Sequence, residues 1–166
     1  PLGGRVNSSC ISKALSGNVC TDFVDENSNM IVLQAASPVF KDGKIIGATL
    51  VGMDISKGNA LVDSIKKMLN TEATIFLGNQ RISSTIMESG HRVVGTNLDN
   101  ELVLDSVLKK KMPYEAVVTL FSKPHMSIYW PISDSTGRSI GMMFLGKDMS
   151  TIKESEDKVF NRILYV

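Results

Sequence analysis

Two runs of polar residues recur at every second position, the spacing at which a β-strand places side chains on one face. The first run comprises Arg81, Ser83 and Thr85 and follows a turn sequence at Gly78-Asn79. A guanidinium beside two hydroxyls can hold a carboxylate through charge-assisted hydrogen bonds. The sequence therefore predicts either a small-anion site on this strand or an ordinary solvated sheet edge.

The second run has the same period and comprises His125, Ser127 and Tyr129. An imidazole, a hydroxyl and a phenol together supply the donors and acceptors that a small acid needs. The alternative is the solvent-facing side of a hairpin. His91 is the only other histidine, and no cluster with metal-ligand spacing accompanies either one. We therefore expect no metal and no other cofactor.

Charge and motif content argue against several functional classes. The chain has 18 basic and 17 acidic residues, so its net charge of +1 gives no reason to expect nucleic-acid binding. No nucleophile elbow or other catalytic constellation is present, and we expect no enzymatic activity. The longest apolar stretch, residues 45–53, is much shorter than the roughly 20 residues of a membrane-spanning helix. Cys10 and Cys20 could form one disulfide or stay free in a reducing compartment.

The chain also repeats itself. Residues 38–56 (PVFKDGKIIGATLVGMDIS) match residues 131–150 (PISDSTGRSIGMMFLGKDMS), including an Asp-x-Ser that ends each segment. Self-similarity over a domain-sized interval indicates two copies of one module. Asp54 and Asp148 occupy equivalent positions, where we expect them to accept hydrogen bonds from free backbone donors at a helix start.

Apolar periodicity and turn residues predict an α+β protein. In the second copy, two strands, a helix and three strands form a five-stranded antiparallel, PAS-like sheet, and an amphipathic helix over residues 57–69 precedes them. A buried strand is expected over residues 45–53. A further helix, capped by Asn97 or Asp99 and running to Lys111, should turn Leu102, Val103, Val107 and Leu108 inward.

These elements predict three units along the chain. Residues 5–56 form a partial first module of one helix and three strands, without counterparts of the first two strands. Residues 57–150 form a complete module with its leading helix. Residues 151–166 form a C-terminal helix.

Several stretches carry a family resemblance: residues 73–86 (ATIFLGNQRISSTI), residues 91–96 (HRVVGT), and the pattern Tyr129-x-Pro131, Gly137 and Ile140-Gly141-Met142-Met143-Phe144-x-Gly146. Together they resemble the Cache-type sensor domains of bacterial methyl-accepting chemotaxis receptors, in a double-Cache-like arrangement whose first module is truncated. The resemblance extends over about residues 11–150.

This resemblance implies an extracytoplasmic, periplasmic domain of an inner-membrane protein, anchored by the membrane in the full-length receptor. It implies that a small molecule binds and that the helix after Ser150 passes the signal on. The residues suggest a short carboxylate held by Arg81, Ser83, Thr85 and Tyr129. Homodimerisation stays open. The alternatives are a sensor of a histidine kinase or cyclic-dinucleotide enzyme, or a spacer or dimerisation module without ligand.

Overall fold

The computed structural model describes residues 8–26 and 30–151. The predicted C-terminal helix over residues 151–166 therefore lies almost wholly outside the described residues. The elements, in chain order, are α1 (Ser9–Leu15), β1 (Cys20–Glu26), β2 (Met30–Lys41), β3 (Lys44–Asp54), α2 (Ala60–Leu69), β4 (Glu72–Leu77), β5 (Gln80–Ser84), β6 (Met87–Glu88), β7 (His91–Arg92), α3 (Glu101–Leu104), β8 (Tyr114–Leu120), β9 (Lys123–Ser133) and β10 (Ser139–Asp148). A π-helical turn over Asp105–Lys109 continues α3.

The predicted five-stranded antiparallel sheet is confirmed, with strand order β5-β4-β10-β9-β8. β10 lies at its centre and pairs with β4, which is distant in the sequence. A glycine makes this close approach feasible: a Cβ placed on Gly141 would lie 2.0 Å from the carbonyl oxygen of Phe76. Any side chain at position 141 would therefore force the two central strands apart.

The sheet buries a different apolar layer on each face. On one face, Ile75, Ile132 and Ile140 pack with Val62 of α2 and with Ile31 of β2. On the other face, aromatic residues pack beneath α3 and its π-helical extension, in a cluster of Phe76, Val103, Val107, Tyr129, Met142 and Phe144. α3 thus covers the face that carries Phe76, Tyr129 and Phe144.

A three-stranded antiparallel sheet, ordered β1-β2-β3, carries α1 on one face. A disulfide joins Cys10 of α1 to Cys20 of β1, which settles the alternative left open by the sequence. The content of one helix and three strands agrees with the sequence-based expectation for this region. The division of the chain into units at residues 5–56 and 57–150 stays a prediction.

Three local predictions were wrong. β3 is largely exposed rather than buried, because it is the outer strand of its sheet. Asn100, not Asn97 or Asp99, caps α3, since its Oδ1 accepts hydrogen bonds from the backbone N–H groups of Leu102 and Val103. Leu102 was also predicted to face inward but is 68% exposed, whereas Val103 and Val107 are buried as predicted.

The repeated Asp-x-Ser motif forms the same turn twice. Oδ1 of Asp148 accepts hydrogen bonds from the backbone N–H and the hydroxyl of Ser150, at 2.8 and 2.6 Å. Oδ1 of Asp54 accepts the equivalent pair from Ser56, at 2.9 and 2.6 Å. Both carboxylates thus accept hydrogen bonds from backbone donors, as predicted, but Asp54 does so in a turn well before α2, which begins at Ala60, and not at a helix start. The hydrogen bond from the Ser150 side chain is the main reason that the pKa of Asp148 falls to about 2.

The two aligned glycines of the repeat give a matched test of this packing. We expect Gly141→Ala to destabilise the protein by about 1–3 kcal/mol, as overpacked cores do. Gly47 has no atom within 4 Å of a built Cβ. Gly47→Ala should therefore stay within about 1 kcal/mol of the parent, because the alanine mainly restricts the unfolded chain. Equilibrium urea unfolding measures both changes, and equal effects would contradict the close approach of β10 to β4.

The Asp148 turn predicts an acid-sensitive contribution to stability. Its pKa of about 2 lies below the ordinary value of 3.8, so the ionised carboxylate stabilises the fold above pH 3.8. That contribution is lost as the pH falls through 3.8 towards 2. Asn at position 148 keeps an acceptor oxygen but cannot titrate, so the stability of Asp148→Asn should fall less steeply over this interval. Urea unfolding at successive pH values measures the slope, and parallel slopes would refute the assignment.

Candidate ligand-binding site

A cavity of about 200 Å³ lies against the α3-covered face of the five-stranded sheet. Because side chains alternate between the two faces of a strand, the strand register determines which residues form the floor of the cavity. Thr74 of β4, Phe144 of β10 and Tyr129 of β9 lie directly opposite one another across the three strands. The cavity, named here the inner cavity, is lined by Thr74, Phe76, Arg81, Ile86, Val118, Leu120, Tyr129 and Phe144. Its walls are mainly apolar, and its polar groups are one guanidinium, one phenol and one hydroxyl.

The guanidinium of Arg81 is held in place from two sides. Its central carbon lies 5.3 Å from the centroid of the Phe76 ring, within the range of a cation–π contact. Nη1 donates hydrogen bonds to Thr96 Oγ1 at 2.9 Å and to the carbonyl oxygen of Asn97 at 2.7 Å. Nε and Nη2 donate to no acceptor within residues 8–26 and 30–151, so this edge of the guanidinium is available to a ligand.

Tyr129 complements Arg81 at the inner cavity. It is only 6% exposed, and its ring packs against Phe144 with a centroid distance of 5.0 Å. Burial raises the pKa of its phenol, and the nearby charge of Arg81 offsets only part of that rise. The phenol therefore stays neutral at physiological pH and keeps a proton to donate. Among the described residues, its hydroxyl has no hydrogen-bond partner.

Arg81 also faces a wider cavity of about 690 Å³, named here the outer cavity. Arg81, Ile86 and Leu120 line both cavities, so the two adjoin. The remaining lining of the outer cavity comes from the β6–β7 hairpin, the following loop and the β8–β9 turn, through Met87, Glu88, Ser89, Val93, Thr96, Asn97, Thr119, Phe121 and Ser122. The two cavities thus meet at the guanidinium of Arg81.

A β-bulge in β5 places Arg81 and Ser83, two members of the first predicted trio (Arg81, Ser83 and Thr85), on opposite faces of the sheet. Phe76 pairs with Arg81, but its neighbour Ile75 pairs with Ser83, so Ile82 is the extra residue on β5. Because each added residue reverses the alternation, Arg81 lies on the cavity face and Ser83 on the opposite face. The prediction of a shared face was therefore wrong.

The hydroxyls of this trio also have protein partners. Ser83 Oγ donates to Asn59 Oδ1 at 3.2 Å. Thr85 Oγ1 donates to the carboxylate of Glu72 and accepts from the backbone N–H of Ala73. Neither hydroxyl lines the inner or the outer cavity. Of the predicted trio, only Arg81 reaches the candidate site.

His125, Ser127 and Tyr129 do share one face of β9, as predicted, and all three are buried. The structure nevertheless gives them different surroundings. Ser127 Oγ donates to the carbonyl oxygen of Ala116 on β8, at 2.7 Å. His125 lines a different cavity, of about 230 Å³, near the start of β9. Arg81 and Tyr129 are thus the two predicted residues that the fold brings to one cavity.

Sequence reasoning missed the apolar walls, Phe76, Ile86, Val118, Leu120 and Phe144. These residues come from β4, from the loop after β5, from β8 and from β10, which meet only in the folded sheet. One signal was available in the sequence: side chains alternate along β4, so Thr74 and Phe76 lie on the same face of the sheet. Both residues pair with strand β10. Predicting which strand lies opposite would have connected Phe144 with Tyr129.

In the part of the chain that the structure describes, no group of three or more His, Cys, Asp or Glu side chains is arranged to hold a metal ion. In the same part, no helix has both the length and the apolar character needed to cross a membrane.

Comparison with known proteins gives one family match. The family described as "Single cache domain 3" matches residues 54–159. No curated protein matches the sequence. Among solved structures, the Escherichia coli DcuS sensor domain is 17% identical, with a TM-score of 0.47, and the match covers 60% of this chain and 71% of that one.

Two chemoreceptor ligand-binding domains are also similar. That of Pseudomonas aeruginosa PAO1 PctC, in complex with GABA, is 17% identical with a TM-score of 0.35, covering 84% of this chain and 61% of that one. That of Pseudomonas fluorescens CtaA, in complex with L-leucine, is 13% identical with a TM-score of 0.37, covering 87% of this chain and 60% of that one. The chain thus spans about three-fifths of each of these two domains.

Proposed function

The chain belongs to the single Cache domain family, and from this membership together with the Arg81–Tyr129 cavity we propose that it senses a small molecule. In this proposal it is the extracytoplasmic domain of a transmembrane chemotaxis receptor. The ligand is a short carboxylate that occupies the inner cavity. The observation that carries the proposal is the convergence of a tethered cation and a neutral phenol on an otherwise apolar pocket.

The charges and hydrogen-bonding groups of the cavity favour an anion. Arg81 keeps two donor nitrogens free of protein acceptors in the described residues, and a carboxylate can accept both in a bidentate pair. Tyr129 supplies a further O–H donor. Because burial raises the pKa of this phenol, the donor is retained well into alkaline conditions.

The dimensions of the cavity favour a small ligand. Pockets that bind drug-sized molecules usually measure about 300–1,000 Å³, whereas the inner cavity has about 200 Å³. Phe76, Val118 and Phe144 contribute apolar walls, so a few carbon atoms would find apolar contacts there. A carboxylate with a short hydrocarbon body fits both requirements.

Signal output is proposed to run through β10. Phe144 of β10 lines the cavity, and the strand ends at Asp148, whose turn leads into residues 151–166. Ligand binding would shift that C-terminal segment, which leads to the membrane in the proposed receptor. A ligand can do so only if it binds the two positions of the segment with different affinities. A histidine kinase or a cyclic-dinucleotide enzyme could use the same output.

The Cys10–Cys20 disulfide supports an extracytoplasmic location. Disulfides form and persist in oxidising compartments such as the bacterial periplasm and are rare in the reducing cytosol. We therefore place the domain on the periplasmic side of the inner membrane, anchored there in the full-length receptor.

The first experiment is a thermal-shift screen of the protein against short carboxylates, amino acids, polyamines and nucleobases. A ligand at one hundred times its dissociation constant adds about 2.7 kcal/mol to the apparent stability. We expect short carboxylates to raise the melting temperature. If no class raises it, the sensing proposal fails and the spacer alternative is favoured.

Variants at the cavity then test the binding mode by isothermal titration calorimetry with the best carboxylate. Arg81→Ala should weaken binding by about 1.5–3 kcal/mol, the range for hydrogen bonds to charged groups. Tyr129→Phe removes one hydrogen bond from a neutral donor to the carboxylate and should cost about 1.5 kcal/mol, the lower end of the same range.

Tyr114→Phe is the matched control, because Tyr114 lies opposite Tyr129 on β8 but does not line the inner cavity. It should leave the affinity unchanged. Unchanged affinity in a folded Arg81→Ala protein would remove Arg81 from the site. A loss of affinity in Tyr114→Phe as large as that in Tyr129→Phe would show that the phenols act through packing.

A further inference from the structure

The cavity of about 230 Å³ near the start of β9 is named here the His125 cavity. We propose that it binds a small oxyanion of the phosphate or sulfate type, together with a proton taken up by His125. Besides Lys123 of β9, its charged lining residues come from three other elements, with Lys66 on α2, Glu72 on β4 and Asp148 on β10. This inference does not depend on the carboxylate proposal, because no residue lines both this cavity and the inner cavity.

The His125 ring is fixed, and one of its nitrogens is left for a ligand. The residue is only 4% exposed. Nδ1 lies 3.0 Å from the carbonyl oxygen of Lys123. Because that oxygen can only accept, Nδ1 carries a proton and donates it. The Phe121 ring meets the imidazole edge-on, with a centroid distance of 6.4 Å. Among the described residues, Nε2 has no hydrogen-bond partner, so it is the ring nitrogen available in the cavity.

The two carboxylates of the cavity are already engaged. Oε1 of Glu72 accepts a hydrogen bond from Lys66 Nζ at 2.6 Å, and Oε2 accepts one from a threonine hydroxyl. Oδ1 of Asp148 accepts from the Ser150 turn, and Oδ2 accepts from Lys123 Nζ at 3.4 Å. Each carboxylate oxygen thus has a donor. A bound cation would have to displace both ammonium groups, which disfavours a cation as the ligand.

Donors, by contrast, remain in excess. Within residues 8–26 and 30–151, Lys66 and Lys123 each donate one hydrogen bond. An ammonium group has three donors, so each lysine can also reach a ligand. A protonated Nε2 of His125 adds a third donor group. Three separate donor groups suit an oxyanion with three or more acceptor oxygens better than a carboxylate, which has two.

Charge balance couples the anion to a proton. The charges of the two lysines and the two carboxylates cancel, and a neutral His125 would turn a lone pair towards the anion. Protonation makes Nε2 a donor and gives the lining a net positive charge. The oxyanion therefore binds while His125 is protonated, and binding is lost as the pH rises through the titration of this residue. Uptake of one proton per ion corresponds to about a tenfold change in affinity per pH unit above that titration.

Isothermal titration calorimetry with sulfate tests the site, because sulfate keeps its charge over the interval of about pH 5–8 in which histidine titrates. We expect sulfate and inorganic phosphate to bind at the acid end, and the affinity for sulfate to fall with rising pH as described. His125→Gln keeps a polar side chain but takes up no proton, so the pH dependence should disappear. Lys66→Met and Lys123→Met keep the hydrocarbon stem, and each should weaken binding at least about tenfold at the acid end, as loss of a charged hydrogen bond does.

Two matched variants control for effects elsewhere. His91 is the other histidine of the chain, is exposed on β7 and lines none of the three cavities. His91→Gln should leave the affinity and its pH dependence unchanged. Arg81→Ala should also leave sulfate binding unchanged, since Arg81 belongs to the inner and outer cavities.

Several results would overturn the proposal. These are no binding of sulfate or phosphate at the acid end, a pH dependence that survives in His125→Gln, or full affinity in a folded Lys66→Met protein. Loss of sulfate binding in Arg81→Ala would place the anion in the other site and would also refute the proposal. Carboxylate binding without sulfate binding would overturn this inference and leave the sensing proposal standing, so the two failures are distinguishable.

Discussion

The pairing of β4 with β10 is the constraint on which the remaining architecture depends. It brings strands from distant parts of the sequence into one ladder, and it leaves no room for a side chain where Gly141 meets the backbone of Phe76. Both faces of the sheet follow from that register. Ile75 points to the layer beneath α2, and Phe76, the next residue along, points to the cavity. A change in this pairing would therefore move the core and the candidate site together.

The candidate site combines a guanidinium in a fixed position with two adjoining cavities that leave space for a ligand. Arg81 has little freedom, because Phe76 lies beneath its guanidinium and the loop at residues 96–97 binds one of its nitrogens. A pre-positioned group loses less conformational entropy when a ligand binds. Burial lowers the pKa of Arg81, while electrostatic interactions with Tyr129, Asp99 and Glu88 act in the opposite direction. The site thus keeps a cation in a partly desolvated position where its attraction for an anion is strong.

The sequence was sufficient for the fold class and for the faces of regular strands. Alternation placed His125, Ser127 and Tyr129 correctly because β9 is paired without interruption over those residues. The same rule failed for Arg81 and Ser83, since one extra residue at Ile82 reverses the faces of β5. A bulge is set by the partner strand and leaves no distinct local pattern. The apolar walls were missed for a related reason: Phe144 and Tyr129 are neighbours only once the strand order is known.

The disulfide has a thermodynamic consequence for the three-stranded sheet. The apolar cluster beside α1 consists of small residues, Cys10, Ala14, Cys20 and Ala36, and so removes little hydrocarbon surface from water. A bridge between cysteines ten residues apart restricts the unfolded chain instead, which stabilises a fold by about 2–4 kcal/mol in the chain-entropy account. The disulfide therefore stabilises the part of the chain formed by α1 and β1–β3 by restricting its unfolded state, in addition to the native contacts. The folding of this part is tied to the redox potential of its surroundings, and Ile31 of β2, which packs in the core of the five-stranded sheet, connects the two sheets.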